Sequence, residues 1–364
     1  MNASVFSDPS EVAPRRWQVP EAALRRLRHH LSRDTATDEA WQASLLYGAD
    51  GDALRELVEH WLNEFELEAQ PLFSLPCFEL SLGGQNLSFV HLRSSERFAM
   101  PLLLLHGYSG SPAEFQQLLG PLSEPSRHGA ATSDAFHVVC PCLPGFGGSD
   151  GASGARQAAE ACAALMRGLG YQRYAVHGSD WGANIALELA ALAREHVASL
   201  HVTALPAYPS ETPEDAATLS RREKSQLACA TERYQELCFS LPRSPVEGLA
   251  FALAQLADSP HCHQDTAARS SLLTSWCLAW ALADADVGER NEQYRAGRLA
   301  AAPSSDVPIA LHDFPLDAPS LRRFAERRYR VVEWREHEHG GGMPGVEQPQ
   351  LLLESLRGFF RRLR

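Results

Sequence analysis

His177-Gly178-Ser179-Asp180-Trp181-Gly182 constrains this chain more than any other stretch. A buried-strand run, Tyr174 to Val176, leads into it and an apolar helical pattern follows. A small-x-Asp-x-Gly sequence between strand and helix predicts a sharp turn that lifts its central residue above the edge of a sheet. Most turns of this kind carry serine at the centre; this one carries Asp180. Serine attacks acyl carbon, whereas a carboxylate suits displacement at sp³ carbon, leaving an alkyl ester that water must later cleave.

The strand texture around this turn sets the fold class. Leu102 to Leu105, Phe136 to Cys140, Tyr174 to Val176 and Ser199 to Ala204 read as buried parallel strands separated by helices, and the pattern resumes at Val307 to Leu311 and Tyr329 to Trp334. Before them, helical stripes over Pro20 to Leu31 and Leu54 to Leu62 precede a hairpin, 77–82 and 86–92, turned by Gly83-Gly84. From Ser210 to about Ala302 the texture is helical, with Phe251, Leu272, Trp276 and Trp280 in its apolar stripe. Leu351 to Leu363 closes the chain as an amphipathic helix. The expected organisation is an N-terminal arm with the first sheet strands (1–95), the first part of a doubly wound α/β core (96–209), an inserted helical cap (210–302) and the rest of the core (303–364).

Composition limits the partners. A net charge of −12 gives no basic face for nucleic acid or an anionic membrane. Met1 to Trp17 lacks the apolar core of a secretory signal, and no run approaches the roughly 20 apolar residues of a membrane span. The eight cysteines are scattered and read as reduced core thiols. These features predict a cytoplasmic protein acting on a small hydrophobic molecule; homodimerisation stays open. His261/His263 and His337/His339 form His-x-His pairs, but nothing nearby completes a ligand pattern, so neither a metal nor a cofactor is expected.

Two further turns accompany the Asp180 elbow. Leu104-Leu105-His106-Gly107-Tyr108-Ser109-Gly110 follows one strand, and Cys142-Leu143-Pro144-Gly145-Phe146-Gly147-Gly148-Ser149 follows the next. Together the three resemble the oxyanion loop, the Pro-Gly-x-Gly-x-Ser turn and the nucleophile elbow of the α/β-hydrolase fold, which predicts a backbone N–H at Tyr108 facing the carbonyl oxygen of an ester on Asp180. His106 and His177 flank these turns and suit loop-fixing hydrogen bonds, and Trp181 packs beside the elbow or lines a pocket.

Over nearly its whole length the chain is similar to epoxide hydrolases with an N-terminal arm, the microsomal type and its bacterial relatives. The resemblance rests on Phe89-Val90-His91-Leu92-Arg93-Ser94, Glu114-Phe115, Leu169-Gly170-Tyr171-Gln172-Arg173-Tyr174, Ser179-Asp180-Trp181-Gly182-Ala183, Asp258-Ser259-Pro260 and Val346-Glu347-Gln348-Pro349. It implies that Asp180 opens an epoxide, that lid tyrosines donate to the epoxide oxygen, and that a His-acid pair activates water. Tyr294 matches one lid tyrosine; the other falls near Leu237, with Tyr234 as a displaced substitute. Asp317, in Phe314-Pro315-Leu316-Asp317, matches the acid.

Two positions depart from the family pattern. The family's proline after His-Gly-x is Ser109, and its catalytic histidine aligns without a gap to Gly342 in Gly340-Gly341-Gly342-Met343-Pro344-Gly345-Val346-Glu347. His339 is the one serious replacement base. General-base assistance contributes about 10²–10⁴ in rate, so an ester on Asp180 without a base would stall. The preferred reading is a tailoring enzyme of secondary metabolism, of polyketide or enediyne type, acting on a bulky polycyclic or aromatic substrate by cofactor-independent oxygenation or rearrangement. The alternatives are hydrolysis of an epoxide to a diol, with water activated by His339 or by the substrate itself, and a binding module without catalysis.

Overall fold

The computed structural model describes residues 12–36, 38–147, 149–150, 154–207, 218–221, 223–225, 227–228, 241–256, 262–282, 287–299, 302–315 and 320–363. The strands are β1 (Val12–Arg15), β2 (Cys77–Leu82), β3 (Gln85–Leu92), β4 (Met100–Leu105), β5 (Phe136–Pro141), β6 (Tyr174–Gly178), β7 (Val197–Val202), β8 (Ser305–Asp313) and β9 (Tyr329–Glu336). They form one sheet in the order β1-β2-β3-β5-β4-β6-β7-β8-β9. The first three, with β3 against β5, pair antiparallel, and all remaining pairs are parallel.

Parallel strands need crossover helices on both faces, so the central strands are apolar throughout. Leu102 to Leu105 and Tyr174 to Val176 are buried, as are half the residues of the flanking helix Ala155–Gly168 and most of Trp181–Leu192. β4 and β6 are neighbours with Leu105 beside Gly178. The turns leaving both strands therefore emerge side by side at the carboxyl edge of the sheet, where open α/β sheets hold their ligands.

The strands expected from sequence are present, most of them longer than their apolar runs. β7 is the exception: it begins at Val197 and ends at Val202, short of Ala204. The edge strand β1 and the helix Asp38–Tyr47 carry no periodic signal strong enough to reveal them: β1 is four residues long, and that helix exposes Leu45 and Leu46.

Between β7 and β8 the described chain is helical, with helices at Pro245–Gln255, Thr266–Ala281 and Val287–Leu299. Trp276 packs against the bare Cα of Gly248, and a Cβ there would sit 2.7 Å from its ring. Its place is thus in helix packing, as its apolar stripe suggested. Cys77, Cys140, Cys142, Cys162 and Cys277 are buried free thiols and Cys262 is partly buried; Cys229 and Cys238 lie outside the described residues. No helix among the described residues is long and apolar enough to cross a membrane.

Candidate active site

Asp180 is the one non-glycine residue with positive φ among the described residues, at φ 45° and ψ −111°. Such a conformation costs on the order of 1–3 kcal/mol and persists only where the surroundings enforce it. Here two glycines enforce it. Gly178 lies against the backbone of Gly182 and Ala183, and Gly182 against the carbonyls of Leu105 and His106, so neither position has room for a Cβ. The elbow is pressed onto the end of β4.

Both carboxylate oxygens of Asp180 have donors. The N–H of Tyr108 donates to Oδ2 at 2.8 Å and the hydroxyl of Tyr294 donates to Oδ1 at 2.9 Å. Tyr294 comes from the helix Val287–Leu299 and its ring lies 4.4 Å from that of Tyr108 and edge-on to Trp181 at 5.5 Å. The Tyr108 hydroxyl in turn donates to Oδ1 of Asn291, and burial pushes its pKa up. Tyr108, Tyr294, Trp181 and Asp180 thus form one buried cluster.

The turn that supplies the Tyr108 N–H is fixed from two sides. His106 Nδ1 meets the carbonyl of Gly107 at 2.8 Å, and its Nε2 accepts the N–H of Leu143 at 3.1 Å. The ring is fully buried and desolvation lowers its pKa to about 4, so it stays neutral and ties the turns after β4 and β5 together. From below, Glu114 accepts from Ser179 Oγ at 2.7 Å and from the N–H of Gly107 at 3.2 Å. Desolvation raises the Glu114 pKa to about 8. In the sequence Glu114 stands out only as part of the dipeptide Glu114-Phe115.

Ser109 is buried and accepts a hydrogen bond from Nε2 of Gln255 at 2.8 Å. The same carboxamide reaches Gly342: a Cβ at that position would lie 2.7 Å from Gln255 Oε1. The space above Gly342 is therefore filled by a side chain from the inserted helices. Nothing in the one-dimensional pattern points to Gln255, because its meaning arises only where residues 109, 255 and 342 meet.

His339 is exposed, whereas Asp180 is 5% exposed, and no hydrogen bond among the described residues joins them. β9 runs to Glu336, and His337 then turns inward, stacked on Phe314 at 4.6 Å and 3.0 Å from Nδ1 of His312. With His337 anchored, the bend at residues 338–339 is directed outward. Asp317, Leu237 and Tyr234 lie outside the described residues, as does His261. Among the described residues no group of three or more His, Cys, Asp or Glu side chains is arranged to hold a metal ion.

Arg290 was also missed, although it stands one helical turn before Tyr294 on the same helix. It is 4% exposed, stacked over Phe146 and Tyr108 at 5.2 and 5.7 Å. Nη1 makes long contacts to the carbonyls of Ala279 and Gly145, the guanidinium charge bears on the Tyr108 hydroxyl, and Nε and Nη2 have no geometric hydrogen bond among the described residues.

Known proteins resemble the chain over most of its length. A family model described as "Epoxide hydrolase N terminus" matches residues 12–115, and one described as "alpha/beta hydrolase fold" matches residues 100–269. A protein of Stigmatella aurantiaca named "Putative epoxide hydrolase" is 31% identical over 385 residues, covering 97% of this chain and 86% of its own length. The chain belongs to the epoxide hydrolase family. Epoxide hydrolase 1 of Oryctolagus cuniculus is 28% identical over 54% of the chain, which spans 45% of that protein's length. Among solved structures, an enantioselective mutant of Aspergillus niger epoxide hydrolase superposes with a TM-score of 0.76 at 24% identity, covering 99% of this chain and all of that one. The juvenile hormone epoxide hydrolase of Bombyx mori gives 0.72 at 20% identity, covering 98% and 96%. These likenesses establish the α/β-hydrolase fold, and the family membership makes this an epoxide-hydrolase-like enzyme.

Proposed function

We propose that the chain opens epoxides on bulky apolar molecules through an alkyl ester on Asp180, and that release of this ester is slow because no imidazole among the described residues is set to activate water. The observation that carries the reading is the division of labour at the carboxylate, with Oδ2 held by the Tyr108 N–H and Oδ1 by the Tyr294 hydroxyl. Oδ1 attacks the less hindered epoxide carbon, the carbon–oxygen bond of the ring breaks, and the departing oxygen takes the proton of the Tyr294 hydroxyl. Oδ2 becomes the ester carbonyl oxygen, already seated on the N–H that stabilises it when water adds. Attack of water on the ester carbon then frees the diol and restores the carboxylate and the phenol. Lacking a base, that second half proceeds about 10²–10⁴ slower than an imidazole would allow.

A second reading, cofactor-independent oxygenation within a secondary-metabolite pathway, draws on Arg290. A buried guanidinium without a carboxylate partner among the described residues would stabilise an enolate or phenolate, the electron-rich form that reduces O₂. Oxygen isotopes separate the two. Ring opening places one ¹⁸O from labelled water into the diol over repeated turnovers, and an Asp180→Asn variant makes none. Label arriving from ¹⁸O₂ instead, with Asp180→Asn still active, would replace ring opening by oxygenation.

A further inference from the structure

Resting on the Asp180 reading, we infer that Gln255, held by Ser109, takes the place of the missing imidazole as an acceptor site for a hydroxyl group, that of the hydrolytic water or of the substrate. The site orients this hydroxyl without removing its proton. Two departures from the family pattern, serine at 109 and glycine at 342, lie far apart in sequence, and one carboxamide accounts for both. Ser109 Oγ accepts from Gln255 Nε2 at 2.8 Å, an interaction that proline could not provide. Gly342 leaves open the volume into which Oε1 projects, 2.7 Å from where any Cβ would stand. Residues 109, 255 and 342 therefore form a unit in which each residue is compatible with the others, and any side chain at 342 would have to push the Gln255 carboxamide aside.

The carboxamide is fixed on one side only. Nε2 is committed to Ser109, whereas no described residue donates to Oε1. Gln255 is 9% exposed and its Oε1 is not among the fully buried unpartnered atoms, so it stays within reach of a small donor, water or a bound hydroxyl. A hydroxyl fits, since it offers one O–H to Oε1 and retains lone pairs for reaction. A carboxamide oxygen is too weak a base to take that proton, so the ligand is positioned and not activated.

The test has two arms. In the first, the wild type and Gln255→Glu are exposed to styrene oxide and the ester on Asp180 is followed by intact mass. A carboxylate at residue 255 would keep the acceptor position and add basicity: the water proton would pass to it as the water oxygen adds to the ester carbon. Ester breakdown in Gln255→Glu is expected to rise by about 10–10³-fold. An ester that forms in both proteins and decays at the same rate overturns the inference while leaving Asp180 as nucleophile. If no ester forms in either, the nucleophile reading fails and takes the inference with it; a second arm checks the packing on which the inference stands. There, urea unfolding compares Gly342→Ala, Gln255→Ala and the double variant. The inference expects Gly342→Ala to destabilise the wild type and to cost little in the Gln255→Ala background. Additive effects would show that Gln255 does not fill that space and would overturn the inference.

Discussion

The Tyr294 hydroxyl sits 2.9 Å from Oδ1 of Asp180, on the oxygen left over once the Tyr108 N–H has taken Oδ2. In the proposed reaction the phenol turns from Oδ1 to the ring oxygen, which departs on the far side of the attacked carbon. A Tyr294→Phe variant keeps the ring packing against Tyr108 and Trp181 and loses the donor. Ester formation is expected to fall by about 10²-fold, measured by stopped incubations and intact mass, with thermal stability nearly unchanged. An unchanged rate would remove Tyr294 from the reaction.

Asp180→Asn isolates the nucleophile from the fold. The amide oxygen can still accept from the Tyr108 N–H, and the side chain has the same shape, so the melting temperature should move by only a few degrees. Ester and product should fall below detection, because a carboxamide does not displace at carbon. Residual turnover above about 1% would show that another group attacks.

The elbow leaves no latitude at Gly182, where a Cβ meets the carbonyl carbon of Leu105 and the carbonyl oxygen of His106. Gly182→Ala should cost more than about 3 kcal/mol and yield little soluble protein. Gly358, inside the helix Pro349–Arg361, has nothing within 4 Å of an added Cβ. Gly358→Ala should raise stability by about 0.5–1 kcal/mol in urea unfolding. Equal effects of the two would contradict the packing described for the elbow.

The elbow, the oxyanion turn and the alternation of strand with helix were legible because each rests on local grammar, glycines at forced turns and apolar runs of strand length. Tyr294 was reachable through family resemblance. Gln255 and Arg290 were not, since an isolated glutamine at a helix end and an arginine in a polar helix signal nothing until the fold brings them to Ser109 and Tyr108. His339 shows the limit of reading by spacing. Spacing along the chain kept it near the missing base, whereas the inward anchoring of His337 on His312 and Phe314 directs the next residues to solvent.

Stability should peak near neutral pH, falling on both sides. His106 and His177 are buried with pKa values lowered to about 4 and His312 to about 3, in each case chiefly by desolvation. They stay neutral when folded but take up protons when unfolded below about 6.5, so stability is lost as pH falls from there toward 4. Glu114 and Asp313, raised to about 8 and about 7 by desolvation, behave oppositely: their folded forms hold protons that the unfolded chain releases above about 4. Their contribution declines as pH rises toward 8. Thermal melts between pH 4.5 and 8.5 should therefore show a maximum at about pH 6–7, and Glu114→Gln should flatten the alkaline limb while leaving the acid limb in place. A steady rise through pH 8 would contradict the burial of these carboxyls.

The central claim is that Asp180 forms an ester that the site is poorly equipped to hydrolyse. Its most direct measurement is the intact mass of the wild-type protein after exposure to aryl epoxides such as styrene oxide and stilbene oxide, followed by peptide mapping. The account predicts an added mass of one epoxide, on the peptide containing Asp180, that persists for minutes and is absent from Asp180→Asn. Diol produced rapidly with no adduct at any time, or an adduct equally present in Asp180→Asn, would contradict it.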